Sequence, residues 1–517
     1  MLVLSLKPGH DGSIAAIQDN KLLFSLESEK DSVQRYSELT PVTMLEAAEL
    51  CGEVPDVIAL GGWYRRGSID RRIGAGYSGS EINRQSRKIF GKGIRYFSST
   101  HERSHIMTAL GLAPADDHPF RAVLVWEGMT GSFYLVDEDA RVLKEHPVIS
   151  QPGLRYSSLF GLADPSFPET GLHQRFEDSG KLMALAAFGQ ADDADSDITA
   201  TVDQLMNPEV ALPLPKELFK RSPIYNVGVQ SEEFKIAAAL LSKRIFTLFS
   251  QQAERNLPQG IPLHISGGCG LNCDWNEMWR RSGQFASVFV PPCTNDSGSA
   301  IGTGIDALHS ETGNYRIDWD VYSGLAFDHD MVPDSSEWRR KALDMTRLVH
   351  RLRDGEVVAW VQGRWEIGPR ALGNRSLLAE PFNESTRQRL NHIKKREDYR
   401  PIAPCCRLED VPKIFDSSFD DPYMLYFRSV QSQRLRAVTH VDGTARVQTV
   451  TEESNARLHA LLTEFAQLCG VGILCNTSLN FNGLGFINRM SDLVEYCEAR
   501  NIDDFVVGDT WYTRRRR

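Results

Sequence analysis

The feature that most constrains this chain is a strand–turn–strand–turn–strand pattern that occurs twice. Residues 2–6 are apolar, Gly9-His10-Asp11-Gly12 turns, residues 13–17 are apolar, Asp19-Asn20 turns again, and residues 22–26 follow. The order returns further on. Residues 122–126 read as a strand, Gly128-Met129-Thr130-Gly131 as a turn, residues 133–136 as a strand, Asp137-Glu138-Asp139 as a turn, and Val142-Leu143 opens a third strand. The repeat is one of architecture rather than of sequence, with a glycine-containing turn between the first two strands each time. At 517 residues the chain is too long for one core, and two or three domains are expected.

A third glycine segment fits the same plan. Residues 262–265 read as a strand, Ser266-Gly267-Gly268-Cys269-Gly270 as a turn, and a helix-like stretch starts at Leu271. A strand, a glycine turn and a helix N-terminus present backbone N–H groups to an anion. Residues 287–290 form a further strand, Pro291-Pro292 breaks it, and Thr294-Asn295-Asp296-Ser297-Gly298-Ser299 leads into a helix of small and apolar residues. Together these units resemble the duplicated nucleotide-binding core of actin, sugar kinases and chaperone ATPases. The pattern weakens over residues 319–339, where the domain junction is expected. The second α/β block has strands at 357–361, 424–427, 471–475 and 505–507, helices at 383–394 and 458–469, and a turn at Asp442-Gly443.

Composition narrows the function. No apolar run reaches the ~18–20 residues that span a bilayer, and the N-terminus lacks the features of a signal peptide. The net charge of −10 disfavours nucleic acid as a partner. The exception, Arg514 to Arg517, reads as a solvated tail. Nine scattered cysteines without a C-x-x-C pair argue against a thiolate zinc site and fit a reducing cytoplasm.

His101-Glu102-Arg103-Ser104-His105 has the form H-E-x-x-H. On a helix its two imidazoles lie on one face, a spacing suited to one divalent metal. A zinc protease with Glu102 as base, a metal site of another enzyme, and two surface or capping histidines are all open readings. Asp296 is a candidate third ligand or a helix cap, and His10 is a candidate general base or a structural turn residue. The second block concentrates cations. Arg364, Arg370 and Arg375 lie among glycines, and Lys394-Lys395-Arg396-Glu397-Asp398-Tyr399-Arg400 follows. Guanidinium forks suit phosphate or carboxylate, so this block is expected to bind a polyanionic small molecule, the alternative being a solvated basic helix.

In order along the chain stand G-H-D-G-S, H-E-R-S-H, G-K-L-M-A-L-A-A-F-G (Gly180 to Gly189), S-G-G-C-G-L-N-C, T-N-D-S-G-S-A, G-R-W-E-I-G-P-R-A-L-G-N-R-S, K-K-R-E-D-Y-R-P and C-N-T-S-L-N. This set resembles the antibiotic and nodulation-factor O-carbamoyltransferase family across nearly the whole chain. The resemblance implies an α/β protein. Residues 1–335 would be a duplicated actin-like domain of the tRNA threonylcarbamoyl transferase type, and residues 336–517 a YrdC-like domain. It further implies that carbamoyl phosphate and ATP with Mg²⁺ meet in the second domain at Arg364, Arg370, Arg375, Lys394, Arg396, Arg400, Ser478 and Asn480. There carbamoyl phosphate gives carbamate and phosphate, and carbamate attacks the α-phosphorus of ATP. Pyrophosphate leaves, and carbamoyl adenylate passes to the first domain. In that domain Glu127, Gly128, Gly267, Gly268 and Asn272 would line the adenylate. His101, His105 and Asp296 would hold a divalent metal, Fe²⁺ or another divalent ion. His10 would deprotonate an acceptor hydroxyl that displaces AMP. Arg370, Lys394 and Arg400, with His10, are the expected catalytic groups.

Two departures mark the chain. Trp126-Glu127-Gly128 stands where relatives carry Asp-Gly, and Asn482-Gly483-Leu484-Gly485-Phe486-Ile487 stands where they carry Gly-Glu-Pro. Both point to the branch that acts on the hydroxymethyl group of cephems. A macrolide, aminoglycoside or nucleoside acceptor is the variant of this reading, and a homodimer is an analogy only. The acidic charge disfavours a tRNA acceptor, and the zinc fingers of hydrogenase-maturation enzymes are missing. A kinase-like ATPase predicts ADP instead of AMP. A non-catalytic sensor predicts no turnover.

Overall fold

The computed structural model describes residues 1–62, 74–89, 91–169, 175–210 and 212–515. Spatial proximity divides the chain into two compact units, Met1–Leu112 with Pro291–Arg517, and Ala113–Val290.

The first unit opens with β1 (Leu2–Lys7), β2 (Ser13–Gln18), β3 (Lys21–Glu27), α1 (Pro41–Cys51), β4 (Val57–Gly61), β5 (Ile82–Ile89), β6 (Lys92–Ser99) and α2 (His101–Gly111). The sheet order is β3-β2-β1-β4-β6-β5. β1 pairs antiparallel with β2 and β2 with β3, whereas β1–β4 and β4–β6 are parallel. Every residue of β1 is buried, as a strand covered on both faces requires.

The second unit holds β7 (Phe120–Trp126), β8 (Gly131–Asp137), β9 (Val142–Pro147), α3 (Pro152–Ala163), α4 (Asp178–Ala186), α5 (Ser196–Met206), α6 (Glu232–Asn256), β10 (Leu263–Ser266), α7 (Cys273–Arg281) and β11 (Val288–Phe289). Its order is β11-β10-β7-β8-β9. β7–β8 and β8–β9 are antiparallel, and β7–β10 and β10–β11 parallel. Order and direction match those of β6-β4-β1-β2-β3, so the repeat seen in the turns is a repeat of topology. Gly189 lets the end of α4 meet α6: a Cβ there would lie 2.2 Å from the Lys235 carbonyl oxygen.

After α8 (Ser299–Thr312) come β12 (Trp338–Ala342), α9 (Met345–Arg353), β13 (Val358–Val361), β14 (Arg375–Ala379), α10 (Glu384–Ile393), β15 (Ala403–Arg407), β16 (Arg428–Ser429), β17 (Thr444–Ala445), β18 (Gln448–Val450), α11 (Ala456–Cys469), β19 (Ile473–Ser478), α12 (Met490–Ala499), β20 (Asp504–Val507) and β21 (Thr510–Arg514). Eight of these strands form a sheet in the order β12-β21-β20-β13-β14-β19-β15-β18. Alternation along β13 sorts its side chains between two cores. Val358 and Trp360 join α9 and α11 residues on one face, and Ala359 and Val361 join α10 and α12 residues on the other. The sheet begins just past residue 335, yet Trp365 and Ala371 from its loops share a core with Leu2, Leu4 and Ile14 of the N-terminal sheet.

One expected strand is not formed. Residues 424–427 run as a loop because the buried Asp421 carboxylate accepts the backbone N–H groups of Tyr423, Leu425 and Tyr426, and Met424 takes a φ of +56°. Such local bonds compete with a sheet ladder. Of the arginine tail, Arg514 closes β21 opposite Trp338, Arg515 donates to the Ser335 carbonyl, and Arg516 and Arg517 lie outside the described residues. Among the described residues all nine cysteines are free, and no helix is long and apolar enough to cross a membrane.

Candidate active site

α2 starts at His101, with the Thr100 hydroxyl accepting from the Arg103 N–H as N-cap. His101 and His105 are at most 1% exposed, which removes the surface-histidine reading. Their Nε2 atoms face each other at 3.2 Å. Asp296 Oδ1 lies 3.5 Å from the first and 3.3 Å from the second. Three potential ligand atoms thus lie within 4.8 Å of one another. Tyr77 stacks on His101 at 4.5 Å between ring centroids. The other oxygen of Asp296 faces the buried Lys7 ammonium at 3.0 Å. Burial opposes ionisation of Asp296, but Lys7 and the two histidines outweigh it and hold the carboxyl well below the usual range. Two imidazoles and one carboxylate suit a borderline or hard divalent ion, so the residues fit such a metal. Glu102 differs from the base of a protease. Its carboxylate accepts the backbone N–H of Gly79 at 2.5 Å and anchors that loop.

Glycines in α8 set the spacing of these ligands. A Cβ at Gly302 would lie 2.0 Å from the Ser104 carbonyl oxygen, so α8 meets α2 backbone to backbone. Ser104 and Thr303 share a hydroxyl hydrogen bond of 2.8 Å, and Arg103 forms a two-pronged pair with Asp306 at 2.7 Å. His10 is half-buried beside this cluster. Its Nδ1 is 2.8 Å from Asp11 Oδ2, and the Asn295 amide donates to the other Asp11 oxygen. A carboxylate at Nδ1 holds the proton there and leaves Nε2 as the basic nitrogen.

The eight-stranded sheet carries a cationic centre. The Lys394 ammonium, at the C-terminus of α10, donates to Ser478 O at 2.5 Å, Ser478 Oγ at 3.2 Å, Asn480 O at 3.2 Å and Asn480 Oδ1. Burial pushes its pKa well down, followed by the charges of Arg396, Arg35, Arg400 and Arg500. Arg396 is lowered to about 9 by burial and then by Arg400 and Arg446. Arg400 is lowered by burial, with Arg35 and Arg446 adding to the effect. Cations packed in this way suit a polyanion in chemistry, and a Lys394 that is 7% exposed is not a solvated helix face.

In the second unit the glycine turn after β10 closes on the end of β7. Gly267 has φ +108°, and a Cβ there would lie 2.4 Å from the Trp126 carbonyl oxygen. Glu127, 4% exposed, follows β7, and its carbonyl accepts from the Gly153 N–H at 3.1 Å. A Cβ added at Gly128 or at Gly268 would meet nothing within 4 Å. The Asn272 side chain caps α7 through the N–H groups of Asp274 and Trp275.

Family comparisons decide what this geometry belongs to. The model described as carbamoyltransferase N-terminus matches residues 76–305, and that described as carbamoyltransferase C-terminus matches residues 349–514. The chain is 60% identical to a 3'-hydroxymethylcephem-O-carbamoyltransferase of Streptomyces clavuligerus over 99% of both chains. The same identity and coverage hold for that of Amycolatopsis lactamdurans. The chain belongs to the carbamoyltransferase family. A nodulation protein U of Rhizobium tropici is 32% identical over 100% of this chain and 96% of its own. Among solved structures, a ROK hexokinase from Thermus thermophilus covers 59% of this chain and 98% of its own at 14% identity, with a TM-score of 0.29.

Two residues of the expected phosphate set bond the carbamoyltransferase's own backbone. Arg364 donates to the carbonyls of Gly324, Leu23 and Ser323. Arg375 is fully buried and bonds Asn488 and the carbonyls of Gln362, Asn374 and Gly363. Both guanidinium groups serve the chain's own backbone, which orphaned carbonyls require. Ser478 closes β19 and Lys394 caps α10, while Arg370, Arg396, Arg400 and Asn480 lie in segments between the elements. Sequence reasoning missed Lys7, Arg35, Arg446 and Arg500. Lys7 lies in a run of apolar residues, where a lysine passes for a strand end, and the three arginines come from distant segments.

Proposed function

We propose that the enzyme carries out ATP-dependent O-carbamoylation of a small natural product, with the hydroxymethyl group of a cephem as acceptor. The full-length 60% identity to two enzymes named for that acceptor carries the reading. Residues 336–517 would be a YrdC-like unit that makes carbamoyl adenylate, and residues 1–335 the unit that transfers it. The cytoplasm is the expected location, in keeping with nine free thiols.

In this reading Lys394, Arg396 and Arg400 receive the phosphates of ATP and carbamoyl phosphate, joined by Arg370 from its glycine loop. Burial first, and neighbouring guanidinium groups after it, lower the pKa values of Lys394, Arg396 and Arg400, and a polyanion would favour their charged forms. Carbamoyl phosphate and water give carbamate and phosphate. Carbamate oxygen then attacks the α-phosphorus of ATP, and pyrophosphate leaves with the β–γ charge neutralised by the cations. Ser478 and Asn480 hold Lys394 where that charge develops. Glu127, Gly128, Gly267, Gly268 and Asn272 would line the adenylate in the second unit. His10, with its Nδ1 proton held by Asp11, takes the acceptor's hydroxyl proton at Nε2. The acceptor oxygen bonds the carbamoyl carbon, and AMP departs. A divalent ion, Fe²⁺ by resemblance, held by His101, His105 and Asp296, would supply Lewis-acid polarisation of a carbonyl.

The test is incubation with ATP, Mg²⁺ and carbamoyl phosphate without acceptor, followed by mass spectrometry. AMP and pyrophosphate are expected. ADP, or no turnover by folded protein, overturns the reading. Added 3'-hydroxymethylcephem should then gain one carbamoyl group, and a chelator that strips the first unit's metal should lower that transfer more than AMP formation.

A further inference from the structure

Just past β3 lies an ion pair that the reaction above does not use. Lys30 and Glu27 have side chains 1% and 2% exposed and stand 3.6 Å apart. Both reach the same distant residue. Glu27 Oε1 accepts the Gly368 N–H at 2.7 Å, and the Lys30 ammonium donates to the Gly368 carbonyl at 2.6 Å. One ion pair therefore fixes the peptide groups on both sides of Gly368, two residues before Arg370. Lys30 also lies over the Phe486 ring, 3.8 Å from its centroid.

Gly368 is held from the other side as well. Its φ is +85°, and a Cβ there would lie 2.2 Å from the Pro292 carbonyl oxygen. Pro292 begins the loop that carries Asp296, so the peptide held by the pair packs directly on that loop. The pair thus sits between the loop of Arg370 and the loop of Asp296. Taking two charges out of water is costly, and an apolar pair of the same volume is usually as stable. What charges offer here, and methyl groups do not, is a defined geometry for both main-chain groups of one residue.

We infer that Glu27 and Lys30 are positioning residues that hold the Gly368 peptide and so aim Arg370 at its anionic substrate. The inference rests on the proposed role of Arg370, and a second readout keeps the two separable. The double variant Glu27→Gln/Lys30→Met removes both charges at near-constant volume and leaves no stranded ion. Its melting temperature should stay within about 4 °C of the parent. AMP formation from ATP and carbamoyl phosphate should fall about 10- to 100-fold in kcat, the cost of a small misplacement of a catalytic group. In an Arg370→Ala background the same pair of changes should add less than about twofold, because residues acting through one another are not additive. Amide hydrogen exchange over residues 363–375 should quicken about tenfold.

Additive losses with Arg370→Ala, or unaltered exchange in that segment, overturn the inference. If the parent makes no AMP, the functional reading fails, and exchange alone decides whether the pair holds the loop. Should the double variant not fold, Glu27→Asp carries the same readouts, since it keeps the charge and draws the carboxylate back from Gly368 by one methylene.

Discussion

Lys394→Met separates what the cationic centre does for folding from what it does for binding. Without ligand the change has two opposed effects. It removes an ammonium that burial and neighbouring guanidinium groups disfavour, and it takes the ammonium donor from Ser478 O and Asn480 O, while Asn480 Oδ1 keeps the Ser478 hydroxyl. Methionine fills the volume of the lysine stem, so the two should cancel to within about 1 kcal/mol. With ligand nothing cancels. A unit charge about 4 Å from a phosphate, at an effective dielectric near 20, contributes up to about 4 kcal/mol, and charge-assisted hydrogen bonds are worth about 1.5–3 kcal/mol. A loss of about 2.7 kcal/mol means about 100-fold weaker ATP binding. At a free ATP concentration near 100 times the parent Kd, the parent gains about 2.7 kcal/mol and the variant only about 0.4 kcal/mol. Thermal melts with and without ATP read both quantities. A melting temperature raised clearly in the parent and by less than about 1 °C in the variant is expected. Equal ATP-induced shifts, or a variant that loses several kcal/mol of stability without ligand, would refute the reasoning and make Lys394 a structural brace. Titration calorimetry in buffers of differing ionisation enthalpy adds a sign: the parent should take up protons on binding ATP, because the polyanion raises a pKa that the empty centre depresses.

Gly267→Ala should destabilise the protein by more than about 2 kcal/mol, since positive φ and a backbone clash combine, while Gly268→Ala, with open space at its Cβ, should cost under about 1 kcal/mol; urea melts of the two variants decide it. Asp410→Asn should cost about 3 kcal/mol at pH 7, because the buried Asp410 carboxylate pairs with Arg407 and Lys413 and accepts the Gly472 N–H. Those bonds outweigh burial and lower its pKa, so its contribution is present above the unfolded-state value and is lost as pH falls through the folded one. Denaturant melts should therefore show a constant gap between parent and variant down to about pH 4 that narrows only below it.

Much of the first unit was legible because turns and ligands announce themselves locally. Gly9 to Gly12 separates two strands that could only pair as neighbours, and His101 and His105 share a helix face by spacing alone. The eight-stranded sheet was not legible as an order. β14 lies between β13 and β19, and no local pattern says that residues near 376 pair with residues near 478. Arg364 and Arg375 illustrate a physical limit: a guanidinium fork fits backbone carbonyls as well as it fits phosphate, and the fold puts carbonyls within reach of both. Lys7, Glu27 and Lys30 escaped notice because in sequence they resemble the charged ends of an edge strand. Burial, which no residue type reveals by itself, takes all three out of water. The strand at 424–427 failed through one side chain, Asp421, whose claim on three N–H groups no strand propensity records.

The close approach of α8 to α2 through Gly302 has a consequence for retargeting the enzyme to new acceptors. That seam has no slack, because even a methyl group at Gly302 would meet the Ser104 main chain. Variation that survives selection must therefore accumulate elsewhere, and libraries that spare residues 101–108 and 296–306 should yield a far larger fraction of folded clones than libraries that include them. The helix pair serves as a fixed chassis on which acceptor preference can drift.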